Sequence, residues 1–181
     1  METRPADIVS FWREAGPEKW FSASDEFDAE IRSRFAEAYR AAADGELDGW
    51  AEKPEGALAL VLLLDQFSRN LHRGSAAAYR ADAKARRIAD QALADGFDGK
   101  VPPDVKKFFV MPFMHSESLA DQDRCVVLSH ALADGDATLP YALRHREIIR
   151  RFARFPHRNE ALGRRSSAAE KAYLEGGGFK G

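Results

Sequence analysis

Leu62-Leu63-Leu64-Asp65-Gln66-Phe67-Ser68-Arg69-Asn70-Leu71-His72-Arg73-Gly74 begins as apolar chain, ends as a dense run of hydrogen-bonding side chains, and decides the fold. Projected on a helix at about 100° per residue, residues 57–64 leave no polar face. Leu58, Leu60, Val61, Leu62, Leu63 and Leu64 point in every direction. A helix apolar all round is buried on all sides, and this one falls far short of the roughly twenty residues a bilayer span requires. From Asp65 onward the pattern changes. Leu60, Leu64, Phe67 and Leu71 continue one apolar stripe, Asp65, Ser68, Arg69 and His72 fall opposite, and Gln66, Asn70 and Arg73 lie between. Asp65 and Arg69 stand one turn apart, as do Gln66 and Asn70, so each pair can meet. An unpaired buried polar group costs about 1–3 kcal/mol, so this end needs partners. They are either a structural network tying helix ends together or a pocket lined by Arg69, His72 and Arg73.

Outward from this interior rod the chain reads as helices. Upstream, Ile8, Phe11, Trp12 and Ala15 mark a first helix stopped by Gly16-Pro17, with Trp20 and Phe21 expected to pack inward from a connector. A second helix starts at an N-cap, Ser24, carries Phe27, Ile31, Phe35, Ala38, Tyr39 and Ala42 as its buried stripe, and ends at Gly45. Downstream, Ser75 is expected to cap a helix reaching Leu93. Asp104–Met111 opens another that Pro112 should kink or break. Leu119–Ala133 forms a sixth, burying Cys125, and Pro140–Phe155 a seventh, with Ile148, Ile149, Phe152 and Phe155 inside. His145 projects to the inner side of that helix, while Arg146, Arg150 and Arg154 face solvent. Ser167 to Glu170 reads as a capping box, and residues 175–181 as a flexible glycine-rich tail. Three helices end alike, at Gly45, Gly96 and Gly135, and no stretch alternates as a strand does. The expectation is one all-α domain over residues 1–181, seven to eight helices in stacked antiparallel pairs.

At 181 residues the chain can bury a sizeable core. Residues 1–60 carry fourteen acids against seven bases, and residues 140–165 carry eight arginines against two acids. The two segments are expected to pair within the fold, and nucleic-acid binding would rest on the arginines of the seventh helix alone. A lone cysteine rules out a disulfide framework. With no apolar region behind the N-terminus, the expected location is the cytoplasm.

Three segments together are recognisable: Leu64–Asn70 with His72-Arg73-Gly74, Met111-Pro112-Phe113-Met114-His115-Ser116-Glu117, and Arg151-Phe152-Ala153-Arg154-Phe155-Pro156-His157-Arg158-Asn159. Supported by Phe11-Trp12, Trp20-Phe21 and Phe27-Asp28, the chain resembles the bacterial domain-of-unknown-function family 924 over nearly its whole length. The resemblance implies a tetratricopeptide-repeat-like α-α superhelix. It brings no substrate or catalytic residues.

The three motifs share a composition of histidine, arginine, amide or hydroxyl and carboxylate, and are expected to converge. Motif one would contribute Asp65, Gln66, Arg69, Asn70, His72 and Arg73, motif two His115 and Glu117, and motif three Arg151, His157, Arg158 and Asn159, with His145 beside them. Arginine forks recognise carboxylate or phosphate at two points, so a small anionic ligand or an acidic peptide is the natural guest of a binding module. The alternative is an enzyme with His115 or His157 as acid–base, assisted by Glu117, and Arg69, Arg73 and Arg158 as anion clamp. No metal or other cofactor is expected, because His115-Ser116-Glu117 and His145-Arg146-Glu147 space their ligands two apart, where side chains diverge on a helix. A closed salt-bridge network that binds nothing is the competing structural account.

Overall fold

The computed structural model describes residues 3–132 and 138–180, and among them every element is helical. The order is α1 (Pro5–Trp20), α2 (Asp25–Asp44), α3 (54–71), α4 (Asp82–Ala94), α5 (Met111–Met114), α6 (Leu119–His130), α7 (Thr138–Phe152) and α8 (Ala168–Glu175), with short 3-10 turns between them. By its contacts the chain groups into two compact units. Unit 1 is residues 1–73 and 77–112, and unit 2 is residues 74–76 and 113–181.

In unit 1, α3 is the interior rod. Ala57–Leu64 are all completely buried, as an all-round apolar helix requires. The rod is not a uniform α-helix. Pro54–Val61 is α-helical, Leu62–Phe67 widens into a π-helical turn, and Ser68–Leu71 returns to α. The widened turn lies where the sequence changes from apolar to polar, and such turns re-aim side chains within a helix. The packing of Phe35 on Phe67 (ring centroids 5.3 Å apart) and of Asp28 on Arg73 shows that α2 runs antiparallel to the rod. Trp12 joins them, 5.3 Å from Phe67 and 5.5 Å from Phe108.

Local signals in unit 1 act largely as expected. Ser24 Oγ accepts the Phe27 amide at 3.2 Å, and Gly45 takes the left-handed conformation that closes α2. Four details differ. The first helix bends at Gly16 (φ 73°) and resumes to Trp20, because Pro17 lacks a donor but suits a new first turn. Trp20 is buried, whereas Phe21 is 60% exposed. Ser75 does not cap α4, since a 3-10 turn at Ala76–Tyr79 intervenes. Pro112 neither kinks nor breaks a helix, because a 3-10 turn at Lys106–Phe109 precedes it and it sits in the first turn of α5, which needs no donor there.

In unit 2, α6 and α7 form an antiparallel hairpin, tied by Arg146 to Asp123 at 3.6 Å. Helix α6 buries Gln122, Cys125 and Ser129. Its expected end at Ala133 and the glycine cap at Gly135 lie outside the described residues. Helix α7 begins two residues before Pro140 and stops at Phe152, short of Phe155, because Ala153 turns to φ 57°. That reversal carries Phe155 inward to complete burial, where it packs with Ile148, Ile149, Phe152, Tyr173 and Phe179. The Ser167–Glu170 capping box forms as expected and starts α8. Beyond α8 the glycines turn the chain back so that Phe179 joins this cluster.

Candidate functional site

The first motif lies in unit 1 and its polar groups are engaged there. Asp65 is completely buried and accepts from Gln66 at 2.6 Å. Arg69 donates to the Asp65 carbonyl and grips both Asp82 oxygens at 3.0 and 3.1 Å. Burial alone would lower the Arg69 pKa, but the charges of Asp65 and Asp82 outweigh it and hold it raised. Arg73 makes the same two-point contact with Asp28, at 2.8 and 2.9 Å, and Asn70 adds a third bond at 2.8 Å. Burial would raise the Asp28 carboxyl, yet those donors keep it below its ordinary value. The guanidinium forks expected to clamp an external anion hold internal carboxylates here. His72 stands apart, against Tyr39 with ring centroids 5.2 Å apart. Burial, with Arg32 and Arg80 nearby, lowers its pKa.

The second and third motifs meet in unit 2. Gln122 Nε2 donates to the carbonyls of Met114 and Ser116 at 2.7 Å each, and so holds the turn that carries His115 and Glu117. Ser116 Oγ donates to Asp121 at 2.5 Å and accepts the Ser118 amide. Glu117 then reaches across to the third motif. It accepts the Phe155 amide at 2.8 Å and both Arg164 nitrogens at 2.7 and 2.9 Å. Burial would raise its carboxyl, but Arg164 and the Phe155 amide bring it below the ordinary range. Asn159 completes the tie, giving Ser166 a bond at 3.0 Å and taking one from Arg164 at 3.0 Å. Arg151 lies exposed over the rings of Phe152 and Tyr173.

Behind this tie sits a ring cluster. His145 and His157 flank Phe155 with centroids at 5.5 and 5.6 Å. The Arg158 guanidinium covers the Phe155 face at 4.5 Å. Phe179 closes the other side, edge-on to His145 at 4.6 Å and to His157 at 5.2 Å, beneath the Arg144 guanidinium at 5.3 Å. The His145 Nδ1 proton goes to the Tyr141 carbonyl at 2.8 Å. His157 Nδ1 is buried without a hydrogen-bond partner. Burial first, then the neighbouring positive charges, push His145 down to about 4 and His157 down to about 3. His115 belongs to the same electrostatic neighbourhood, since it depresses both. A cleft of about 340 Å³ opens beside them, lined by His157, Leu174, Glu175 and Lys180.

Elsewhere in unit 2, Arg154 is not free towards solvent as expected. It grips both Glu170 oxygens at 2.6 and 2.9 Å, and Glu170 also receives the Ser167 amide, so its carboxyl falls to about 2. Burial pushes the Cys125 thiol up to about 12, far from a nucleophile. Among the described residues no three His, Cys, Asp or Glu side chains are arranged to hold a metal ion. No described helix is long and apolar enough to cross a membrane.

Sequence reasoning missed Gln122, Arg164, Glu170 and Phe179 as parts of these constellations. For Gln122 a signal existed, a polar residue one turn before Cys125 on the buried stripe of α6. Arg164 and Phe179 carried none, because both reach their partners through loop geometry.

The family model described as a bacterial protein of unknown function, DUF924, matches residues 8–178. Among solved structures, the protein of unknown function ATU0120 from Agrobacterium tumefaciens is 48% identical and superposes with a TM-score of 0.91, over 95% of this chain and 97% of that one. None of the curated proteins compared with the chain matches it.

Proposed function

The chain belongs to the bacterial DUF924 family, and from that starting point we propose that it is a binding module whose unit 2 holds a small anionic ligand at the His145–His157 cluster. The observation that carries this reading is the company these rings keep. The fixed charges of Arg144 and Arg158 lie over Phe179 and Phe155, the two rings that both imidazoles touch, next to a cleft that His157 itself lines. Burial is the main cause of the low imidazole pKa values, and a carboxylate or sulfate-like group entering there would offset the positive charges that add to it. The imidazoles would then take up protons as the anion arrives and bond to it as charged donors.

Binding is favoured over acid–base chemistry for two reasons. A general base works best with a pKa near the operating pH, and His145 and His157 lie well below it. Glu117, the carboxylate nearest in sequence to His115, already accepts from Arg164 and Phe155.

The test is isothermal titration with sulfate and with propionate, at pH 7 and pH 5.5, on the wild type and on Arg144→Ala. Expected are binding that tightens at the lower pH, net proton uptake on binding, and weakening in the variant. Absence of binding at millimolar concentrations of either ion at both pH values would overturn the reading.

A further inference from the structure

Phe179 occupies its place in an unusual way for a core side chain. It arrives from beyond the last helix, on a tether of Gly176-Gly177-Gly178. Gly177 adopts φ 82°, which favours glycine. The tether is fastened at two points on one residue. The Gly178 amide donates to the Tyr173 carbonyl at 2.8 Å, and the Phe179 amide to the Tyr173 hydroxyl at 3.0 Å. Gly178 has no room for a side chain, because a Cβ there would lie 2.4 Å from the Tyr173 carbonyl oxygen and 2.5 Å from its ring. The closed tail therefore depends on glycine at both 177 and 178.

The ring itself is only partly buried, and it rests on the site's polar equipment. Besides the apolar cluster of Ile148, Ile149 and Phe155, it touches two imidazole rings and the Arg144 guanidinium. Neutral imidazoles and a cation form a socket suited to an aromatic ring. The same side chains would serve an anion, and the adjoining cleft leaves room for a longer molecule.

Resting on the anion-binding reading above, we propose that Phe179 is a built-in plug and that the ligand is an aromatic carboxylate. The ligand's ring takes the place of the phenyl group, and its carboxylate meets Arg144 and the imidazoles. Ring and carboxylate are both needed. A simple anion does not compete with the phenyl group, and a neutral ring leaves the guanidinium charge unanswered. The cleft carries opposite charges at Glu175 and Lys180, and Lys180 leaves with the tail, so the carboxylate stays close to the arginine. Swinging the tail out breaks two hydrogen bonds and frees three glycines, which regain the most backbone freedom of any residue.

The test uses the full chain with 3-phenylpropionate and propionate as probes, titrated into the wild type, Gly178→Ala and Phe179→Ala. Gly178→Ala prevents the tail from seating without touching the ring, and Phe179→Ala removes the plug. Circular dichroism checks that both variants keep the fold. Expected is tighter binding of 3-phenylpropionate than of propionate. Both variants should raise the affinity for the aromatic acid on the order of tenfold, as removal of an occluded state does, with propionate unchanged. If propionate binds but the aromatic acid binds no more tightly in any of the three chains, the plug is overturned and the anion site stands. If neither acid binds any chain, both fall.

Discussion

Gly56 lies in the first turn of the interior rod, where the chain before it passes so close that a Cβ would meet the Trp50 carbonyl oxygen at 2.2 Å and its carbon at 2.9 Å. Backbone cannot swing aside as a flexible side chain does. Gly56→Ala is therefore expected to destabilise by about 2–3 kcal/mol, read as a lower urea midpoint at unchanged slope. Composition gave no hint of this, because the clash is set by the path of a turn and not by the helix that carries the glycine. Glu170 is the opposite case. Its capping role was visible in Ser167-Ala168-Ala169-Glu170, while its grip on Arg154 was not. Glu170→Ala removes the cap and the ion pair together and should cost about 1–3 kcal/mol at pH 7. The folded carboxyl, at about 2, lies below an unfolded value of about 4.3. Its stabilisation is thus present above the unfolded pKa and disappears as pH falls towards 2. The difference between wild type and variant should shrink between urea titrations at pH 7 and pH 3.

The rod and the helices around it show how far periodicity reaches. An all-round apolar run announced a buried helix, and the structure buries every side chain from Ala57 to Leu64. The π-helical turn at Leu62–Phe67 left no mark in the pattern, since one extra residue per turn barely shifts a stripe over so short a distance. Helix ends followed their signals at Ser24, Gly45 and Ser167 but not at Ser75, where a 3-10 turn intervenes, nor at Gly16, where the helix bends and resumes. The end of α7 also departed, because a non-glycine residue, Ala153, turned left-handed. The polar end of the rod supplies a test of structural against binding roles. Arg69 holds Asp82 at two points and also faces Asp65, which is completely buried. Arg69→Ala strips these carboxylates of their guanidinium and should cost about 3–5 kcal/mol, measured by urea unfolding. Affinity for sulfate or propionate should not change once the variant is shown to be folded. A stable variant that no longer binds either ion would move the anion site to the rod.

At the scale of the molecule, the grouping of motifs was legible in part. Composition identified the histidines, arginines and carboxylates, and the second and third motifs do meet in unit 2, through Glu117 and Phe155. The first motif belongs to unit 1 and satisfies itself with Asp28 and Asp82, two acids with which sequence spacing did not pair it. Spacing along a helix predicts neighbours one turn away, whereas partners brought in by another helix depend on packing that no local pattern encodes. The buried imidazoles also give the protein's stability a pH dependence separable from that of its carboxylates. His145 and His157 are held at about 4 and about 3 when folded, against about 6.5 in an unfolded chain. Above pH 6.5 they are neutral in both states and contribute no slope. As pH falls below 6.5 the unfolded chain binds protons that the fold refuses, so stability declines with pH throughout the interval down to the folded values. Glu117, Asp28 and Glu170, whose folded pKa values are lowered, act only as pH falls through the ordinary carboxylate range and below it. The interval between pH 6.5 and 5 therefore reports the imidazoles, with His72, whose pKa burial also lowers, adding to His145 and His157 in the same direction. The wild type should lose about 4 kcal/mol between pH 7.5 and pH 5.0, or about 2 kcal/mol for each ring, and His157→Gln should lose about half as much because one refusing ring is gone. Equal urea midpoints at the two pH values would mean that these rings accept protons within the fold and that the cluster is wetter than its packing implies.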